Sequence, residues 1–169
     1  MKTGGEPAAH TEARVWSILE NIADPEIPAI SIVDLGIVRH VTADSRGVEV
    51  GLSPTYSGCP ATDVIRSLVV ESLAAHGLEA QIRMVLNPPW TTDWISAAGR
   101  EKLHGYGIVP PRLLAGAAGG AEAANDEIPA CPHCRSAQTE RISEFGSTPC
   151  KSLYRCRDCL EPFERFKCL

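Results

Sequence analysis

The 169-residue sequence predicts an α+β fold, in which a small mixed sheet packs with helices in the order αββαβ and a small β domain follows. In the first hundred residues, apolar side chains recur with the helical period in some segments and with the alternating period of strands in others. Near the C-terminus, four of the seven cysteines form two CxxC pairs. These patterns indicate one ordinary domain joined to a small second module.

The first predicted helix covers roughly 11–23, where the apolar residues share one face until Asp24-Pro25 ends it. Two strands follow, one over the run 37–43 and one over 48–52, in which Val48, Val50 and Leu52 alternate with other residues. The turn-forming residues 44–47 lie between these strands. The sequence therefore predicts a β-hairpin after the first helix.

The second predicted helix begins near Pro60 and ends at Gly77, and Ile65 and Val69 are on its apolar face. A third strand is predicted from the alternation of Ile82, Met84 and Leu86. This strand completes the αββαβ order of the first domain.

A last helix of the first domain is predicted after Thr91 or Thr92, either of which can cap it, and it ends before Gly105. Residues 110–129 are rich in Pro, Ala and Gly, which predicts a linker. A short Ala-rich helix over 113–124 is the alternative, although each interior glycine costs about 1 kcal/mol relative to alanine. The predicted organisation is an α+β domain at 10–109, a linker at 110–129 and a metal-binding module at 130–169.

Composition excludes several classes of protein. The net charge of −5 and the pI near 5.5 argue against a general nucleic-acid binder, which needs Lys and Arg to neutralise phosphates. The first residues contain no apolar secretory core, and no apolar stretch approaches the roughly twenty residues that span a bilayer. We therefore expect a cytoplasmic protein with no membrane partner, whose cysteines are metal ligands or reactive thiols.

The C-terminal cysteines predict a four-thiolate metal site. Cys131 and Cys134 form one CxxC pair, and Cys156 and Cys159 form the other. Two such knuckles, brought together by a hairpin, complete a tetrahedral shell of the kind found in zinc ribbons. Structural zinc is the expected ion, while iron or an iron-sulfur cluster stays open as an alternative.

The remaining C-terminal thiols, Cys150 and Cys168, lie outside the knuckles. Each is interpreted as a substitute ligand, as a thiol that takes part in chemistry, or as a small residue packed in the ribbon.

Cys59 is the one cysteine of the first domain, just before the second predicted helix. The backbone N–H groups and the dipole of a helix N-terminus favour the thiolate, so we expect metal binding or nucleophilic reactivity there. A buried structural thiol is the alternative. A cysteine hydrolase would require His40, His76 or His104 to fold against Cys59, and the sequence offers no support for that.

Carboxylates also lie at turns of the first domain: Asp24 and Glu26 follow the first helix, and Asp34 precedes the first strand. They are interpreted either as turn-capping groups or as acid-base groups or metal ligands that converge in the fold. Trp94 is expected in the core, whereas Trp90, after two prolines, is considered as an exposed binding contact.

Six motifs lie in order along the chain. They are Asp24-Pro25-Glu26, Ser31-Ile32-Val33-Asp34-Leu35-Gly36-Ile37-Val38, Gly58-Cys59-Pro60, Asn87-Pro88-Pro89-Trp90-Thr91-Thr92-Asp93-Trp94, Phe145-Gly146-Ser147-Thr148-Pro149-Cys150-Lys151 and Phe166-Lys167-Cys168. The first three resemble the SUF-T-like family of iron-sulfur cluster assembly proteins. The chain from about 12 to 169 resembles the D-subunit (or J-subunit) family of bacterial phenylacetyl-CoA epoxidase, also called phenylacetate-CoA oxygenase.

This resemblance implies a non-enzymatic accessory protein of aerobic phenylacetate degradation, which helps to mature or maintain the iron-sulfur or di-iron centres of the oxygenase. It implies transient iron or iron-sulfur handling at Cys59, with Asp24, Glu26 and Asp34 as supports. The implied partners are the oxygenase or reductase components and iron-sulfur assembly proteins. Because one thiol supplies too few ligands for a cluster, a homodimer stays open.

Two other hypotheses remain. In one, the four-cysteine site holds iron and the protein passes electrons to the oxygenase. In the other, the protein is a purely structural adaptor of the oxygenase complex.

Overall fold

The computed structural model describes residues 8–45, 47–56, 58–115 and 120–169. The chain divides into two compact units, the first ending at Trp90 and the second beginning at Thr91. Part of the predicted hairpin turn (residue 46), of the segment before Cys59 (residue 57) and of the predicted linker (116–119) lies outside the described residues.

The first unit contains the predicted αββαβ order. Its elements are α1 (Ala8–Leu19), β1 (Val38–Asp44), β2 (Gly47–Leu52), α2 (Ala61–Ala75) and β3 (Ala80–Met84). β2 is central, antiparallel to β1 and parallel to β3, so the sheet is mixed. The α+β prediction is therefore confirmed for this unit.

An aliphatic core holds the first unit together. From α1, Val15 and Leu19 are fully buried, and from α2, Val69 and Leu73 are fully buried. These side chains pack with the inward residues of the sheet, of which Val50 is also fully buried. Burying each such side chain contributes about 1.5–3 kcal/mol, so the hydrophobic effect is the main stabilising term here.

Two details of the first unit differ from the prediction. The third strand ends at Met84, and Leu86 is exposed, because β2 supplies pairing partners only as far as Leu52 opposite Met84. The first helix ends at Leu19, earlier than expected, and the chain continues through short turn hydrogen bonds such as that from Ile22 N–H to the Leu19 carbonyl.

The second unit contains a 3-10 turn (Thr92–Trp94), α3 (Ala97–Gly105), β4 (Ile108–Val109), α4 (Gly120–Asp126), β5 (Thr139–Ser143), β6 (Lys151–Cys156) and β7 (Pro162–Phe166). Its sheet has the order β4-β7-β6-β5. The hairpin of β6 and β7 is antiparallel, β5 extends it in the antiparallel sense, and β4 pairs with β7 in parallel. This arrangement is the predicted C-terminal β domain, extended at one edge by the upstream strand β4.

The single predicted helix after Thr91 is divided into two elements. Thr91 Oγ1 accepts a hydrogen bond from Asp93 N–H at the 3-10 turn, and Ser96 Oγ accepts one from Gly99 N–H to cap α3. Two successive capping side chains thus start two short elements in place of one long helix.

The division between units lies earlier than the expected boundary at 109/110. Residues 91–109 belong to the second unit because Thr92 N–H donates to the Leu169 carbonyl at 3.2 Å and because β4 pairs with β7. The predicted linker also contains α4, whose carbonyl groups are bound by the Arg165 side chain. The short-helix alternative over 113–124 overlaps α4 only at 120–124, since 113–115 are not helical and 116–119 lie outside the described residues.

Candidate functional site

The four cysteines of the two knuckles come together at one end of the second unit. All four Sγ atoms lie within 4.8 Å of one another. Cys131 Sγ is 3.7 Å from Cys159 Sγ, and Cys134 Sγ is 3.5 Å from Cys156 Sγ. A tetrahedral zinc with bonds of about 2.3 Å to sulfur places its ligands about 3.8 Å apart, so the arrangement fits one such ion.

The strands and turns explain why these sulfurs converge. The first knuckle is closed by hydrogen bonds between Cys131 and the backbone of Arg135 and Ser136. The second lies between β6 and β7, where Cys156 N–H donates to the Glu161 carbonyl at 3.0 Å. Each CxxC pair therefore lies on a tight turn, and β5 brings the two turns together by pairing with β6.

Aromatic residues support the thiolate shell from the inside of the sheet. The rings of Tyr154 and Phe163 stack with centroids 5.7 Å apart, and both are buried with Cys131 and Cys156. The N–H groups of Cys159 and Asp158 lower the pKa of Cys156 to about 7, despite its burial. One thiolate is thus available at neutral pH to begin metal coordination.

Among the residues that the structure describes, this is the one group of three or more Cys, His, Asp or Glu side chains whose ligand atoms converge. Cys150 and Cys168 do not belong to it. Both are buried, with Cys150 Sγ 3.1 Å from Thr148 Oγ1 and Cys168 Sγ 3.8 Å from the Arg112 carbonyl. The packed-residue interpretation of these two thiols fits their burial.

Cys59 lies before α2, as expected, and is half-buried. Ala61 N–H and the Thr62 side chain hydrogen-bond to its sulfur and lower its pKa. Burial, together with the charges of Glu26 and Asp24, outweighs them and raises the pKa above its ordinary value. The expectation that the helix N-terminus makes Cys59 a ready thiolate is therefore wrong, because desolvation and carboxylate charge dominate.

The acidic residues occupy different positions relative to this thiol. Asp24 and Glu26 lie close enough to Cys59 to affect its ionisation. Asp24 is also a turn residue, since its Oδ1 accepts hydrogen bonds from Glu26 N–H at 2.9 Å and Ile27 N–H at 2.8 Å. Asp34 Oδ2 accepts a hydrogen bond from Ser31 at 3.2 Å, which makes it a turn-capping group. Local turn hydrogen bonds thus engage two of the three predicted carboxylates, as an Asx-type turn at Asp24 and a serine-based turn at Asp34.

The histidines considered as bases for Cys59 have other contacts in the first unit. His40 Nε2 lies 3.1 Å from Glu49 Oε1, over the surface of the sheet. His76 Nδ1 lies 2.7 Å from the Ser72 carbonyl at the end of α2. These contacts give the hydrolase hypothesis no support from His40 or His76, and His104 belongs to the second unit.

Trp90 is not the exposed binding contact that the sequence suggested. Its side chain is 6% exposed, and its Nε1–H donates to the Leu35 carbonyl at 3.1 Å. Thr62 was missed by the sequence analysis, although its spacing of three residues after Cys59 is the signal that could have identified it.

No helix among the described residues is long and apolar enough to cross a membrane.

Comparison with known proteins gives a separate match for each part of the chain. Residues 12–84 match the iron-sulfur cluster assembly protein family. Residues 116–167 match the PaaD zinc beta ribbon domain family. The two matches cover the thiol site and the four-cysteine site respectively, and the zinc-ribbon fold of the second unit is confirmed.

The N-terminal part by itself resembles proteins from Bacillus species. YitW of Bacillus subtilis (strain 168), named an Fe-S protein maturation auxiliary factor, is 34% identical over 85 residues, covering 48% of this chain and 82% of its own. The crystal structure of a domain of unknown function, DUF59, from Bacillus anthracis is 31% identical with a TM-score of 0.53. That likeness covers 57% of this chain and 93% of the other.

A full-length relative joins the two parts. The protein named as the D component of the 1,2-phenylacetyl-CoA epoxidase of Escherichia coli (strain K12) is 44% identical over 173 residues. The alignment covers 100% of this chain and 98% of the relative. The chain therefore belongs to the D-component family of phenylacetyl-CoA epoxidases, as its motifs predicted.

Proposed function

We propose that this protein is an accessory factor that helps to mature or maintain the metal centres of a phenylacetyl-CoA epoxidase, with Cys59 as the residue that transiently holds iron or an iron-sulfur cluster as cargo. The observation that carries the proposal is a half-buried thiol beside two carboxylates, in the segment 12–84 that matches an iron-sulfur cluster assembly family. The chain itself is not the catalyst of oxygen chemistry.

The protonation state of Cys59 favours cargo binding over covalent catalysis. A thiol whose pKa is raised stays protonated at neutral pH and is a poor nucleophile. A metal ion changes this balance, because a coordinated thiol loses its proton and its charge is neutralised by the metal. Glu26 and Asp24 add negative charge that attracts a cation to this end of α2.

The ligand count explains why the binding would be transient. Cys59 offers one thiolate, whereas clusters are usually held by four. The missing ligands then come from a second copy of the chain or from the assembly or client protein. Incomplete coordination by one carrier keeps the cargo transferable.

For the resident metal, we propose one structural zinc held by Cys131, Cys134, Cys156 and Cys159. The four-sulfur spacing fits tetrahedral zinc, and the ribbon family to which this segment matches is named for zinc. The bound ion would neutralise the thiolates and hold the two knuckles together. We assign to the ribbon the task of docking on an oxygenase or reductase component.

The test is anaerobic reconstitution of the full chain with iron and sulfide, followed by measurement of zinc, iron and acid-labile sulfide. The variants are Cys59→Ser and, as a matched control, Cys150→Ser, which alters a buried thiol outside both sites. We expect about one zinc per chain in every protein. Iron and sulfide, and their transfer to the epoxidase components, should be lost in Cys59→Ser alone.

Other outcomes would decide between the remaining hypotheses. If both variants retain iron equally, and that iron occupies the four-cysteine site, the electron-transfer hypothesis would be favoured. Zinc alone in all proteins, with full epoxidase maturation by Cys59→Ser, would reject cargo handling and favour a structural adaptor.

A further inference from the structure

A cleft in the second unit lies next to the first knuckle, and Cys131 of the four-sulfur site is among its lining residues. Its volume is about 490 Å³, within the range of ordinary ligand pockets. Its apolar walls come from β4, from the segment after α4 and from the first knuckle, including Val109, Ile128 and Pro132. The cleft therefore offers an aliphatic surface to a ligand.

Arginines supply most of the charge of this cleft. Arg112, Arg135 and Arg165 line it, and Glu127 is the one carboxylate among its lining residues. Three arginines and one carboxylate leave two positive charges without a carboxylate in the lining, while Cys131 places the thiolates of the four-sulfur site at one side of the cleft. Arg112 and Glu127 form an ion pair that is more than half exposed, so it is at the rim of the cleft.

Arg165 is the unusual member of this group, because it is 4% exposed. Its Nη1 donates to the Glu127 carbonyl, and its Nη2 donates to the Ala124 carbonyl at 2.5 Å. Its Nε–H is buried and has no hydrogen-bond partner among the described residues. Buried charges in proteins are usually paired with an opposite charge, and backbone carbonyls provide only partial compensation.

We propose that this cleft binds an organic carboxylate with a small aliphatic body. The carboxylate would supply the negative charge that Arg165 lacks and would accept hydrogen bonds from the more exposed arginines. The aliphatic body would pack against Val109, Ile128 and Pro132. The cleft volume, the apolar wall, the excess of arginines over carboxylates and the Arg165 Nε–H without a hydrogen-bond partner in the described part of the chain together favour this class over a metal cation or a neutral molecule.

This inference is independent of cargo binding at Cys59. A simpler alternative is that Arg165 only caps the C-terminal carbonyls of α4, as basic residues often do. In that case Arg165 only stabilises the end of α4, and no anion binds saturably in the cleft.

The test uses the zinc-loaded full chain with ¹⁵N-labelled arginine, so that NMR detects the Nε–H groups directly. The probe is 3-methylbutyrate, and 3-methylbutyramide, which has the same shape without the charge, is the matched control ligand. Arg112→Gln and Arg135→Asn remove cleft cations, while Arg141→Gln removes an exposed arginine outside the lining. Glu127→Gln removes the competing carboxylate.

The proposal expects a saturable shift of the Arg165 Nε–H resonance with the carboxylate and none with the amide. The affinity for 3-methylbutyrate should fall about fivefold or more in Arg112→Gln and in Arg135→Asn, since removing one charge from an arginine-carboxylate pair weakens binding by about 1 kcal/mol or more. The affinity should stay unchanged in Arg141→Gln and rise in Glu127→Gln.

Two outcomes overturn the proposed carboxylate site: no saturable shift of the Arg165 Nε–H resonance, or an equal response to the amide.

A second ligand pair identifies the source of the carboxylate in the cell. If N-acetyl-leucyl-glutamate amide binds more tightly than 3-methylbutyrate, and its glutamine analogue does not bind, the carboxylate belongs to a protein partner. If the free acid binds more tightly, the ligand is a small molecule.

Discussion

The two units of this protein are stabilised in different ways. The first buries Ile, Leu and Val side chains from α1, α2, the sheet and the loop 22–37 around one core. Among the described residues of the second unit, only Ile95, Leu103 and Ile108 are large buried aliphatics. Its other buried groups are mainly cysteines, aromatic rings and polar side chains that include Lys151 and Arg165.

This difference indicates which forces each unit depends on. Burial of apolar area is sufficient for the first unit, because an ordinary α+β domain gains most of its stability in that way. The second unit has too little aliphatic surface for this, so metal coordination and buried ion pairs must supply the remainder. Changes to metal, charge and core should therefore affect the two units separately.

Removal of the metal is expected to have the largest effect. Binding of structural zinc contributes about 10 kcal/mol or more to folding in small zinc modules. In Cys156→Ser, or after chelation, the NMR resonances of β6 and β7 should lose their dispersion, while those of α1 and α2 keep theirs. Cys150→Ser is the control and should retain the metal. Dispersed β6 and β7 resonances in the metal-free protein would contradict the conclusion that the second unit depends on metal for its fold.

A buried ion pair gives the next effect, confined to the second unit. Lys151 Nζ lies 2.7 Å from Glu164 Oε2, and the lysine side chain is 3% exposed. Glu164→Gln leaves a buried ammonium without its partner, which costs about 3 kcal/mol. Denaturant unfolding followed by ribbon resonances would measure this loss. Glu161→Gln, an exposed position on the neighbouring turn, should change stability by less than about 0.5 kcal/mol.

The same pair predicts a pH dependence. Although burial raises the pKa of Glu164, Lys151 and the Ser147 N–H and hydroxyl groups hold it below its ordinary value. Its contribution to stability is therefore present above the unfolded-state pKa and is lost as pH falls through the lower folded-state pKa. The stability difference between wild type and Glu164→Gln should shrink on acidification, measured at saturating zinc above the pH of zinc release. A constant difference through that range would contradict this linkage.

The core of the first unit can be tested with two adjacent valines of α2. Val69 is fully buried and Val70 is 43% exposed. Val69→Ala should cost about 2 kcal/mol, since it removes buried methyl groups and leaves a cavity. Val70→Ala should be nearly neutral. Thermal unfolding monitored by resonances of α1 would measure both, and a shift in zinc content in either variant would show that the units are not energetically separate.

The smallest expected effect concerns Cys59. Since the Glu26 charge contributes to its raised pKa, Glu26→Gln should lower that pKa and speed alkylation by iodoacetamide at a fixed neutral pH. Glu20→Gln, at an exposed residue directly after α1, is the control. The rate and its pH profile would be followed by mass spectrometry of the Cys59 peptide. An unchanged profile in Glu26→Gln would show that the Glu26 charge does not contribute to this pKa.

Much of the fold could be predicted because it depends on local patterns. The helical period around Val15 and Val69 and the alternation through Val48 and Val50 are properties of neighbouring residues. The CxxC spacing likewise predicted the four-sulfur site, since ligands three residues apart on a turn can share an ion. Position before a helix predicted where Cys59 lies, though not its ionisation.

The sequence by itself thus determined the αββαβ order, the zinc ribbon and which cysteines form the four-sulfur site. Only the tertiary structure decided that Trp90 is buried against the Leu35 carbonyl, that Glu26 raises the pKa of Cys59 and that Arg165 is buried beside a cationic cleft. Residues distant in sequence meet in each of these cases. Burial and electrostatic energy depend on such neighbours, and no local period or spacing in the chain encodes them.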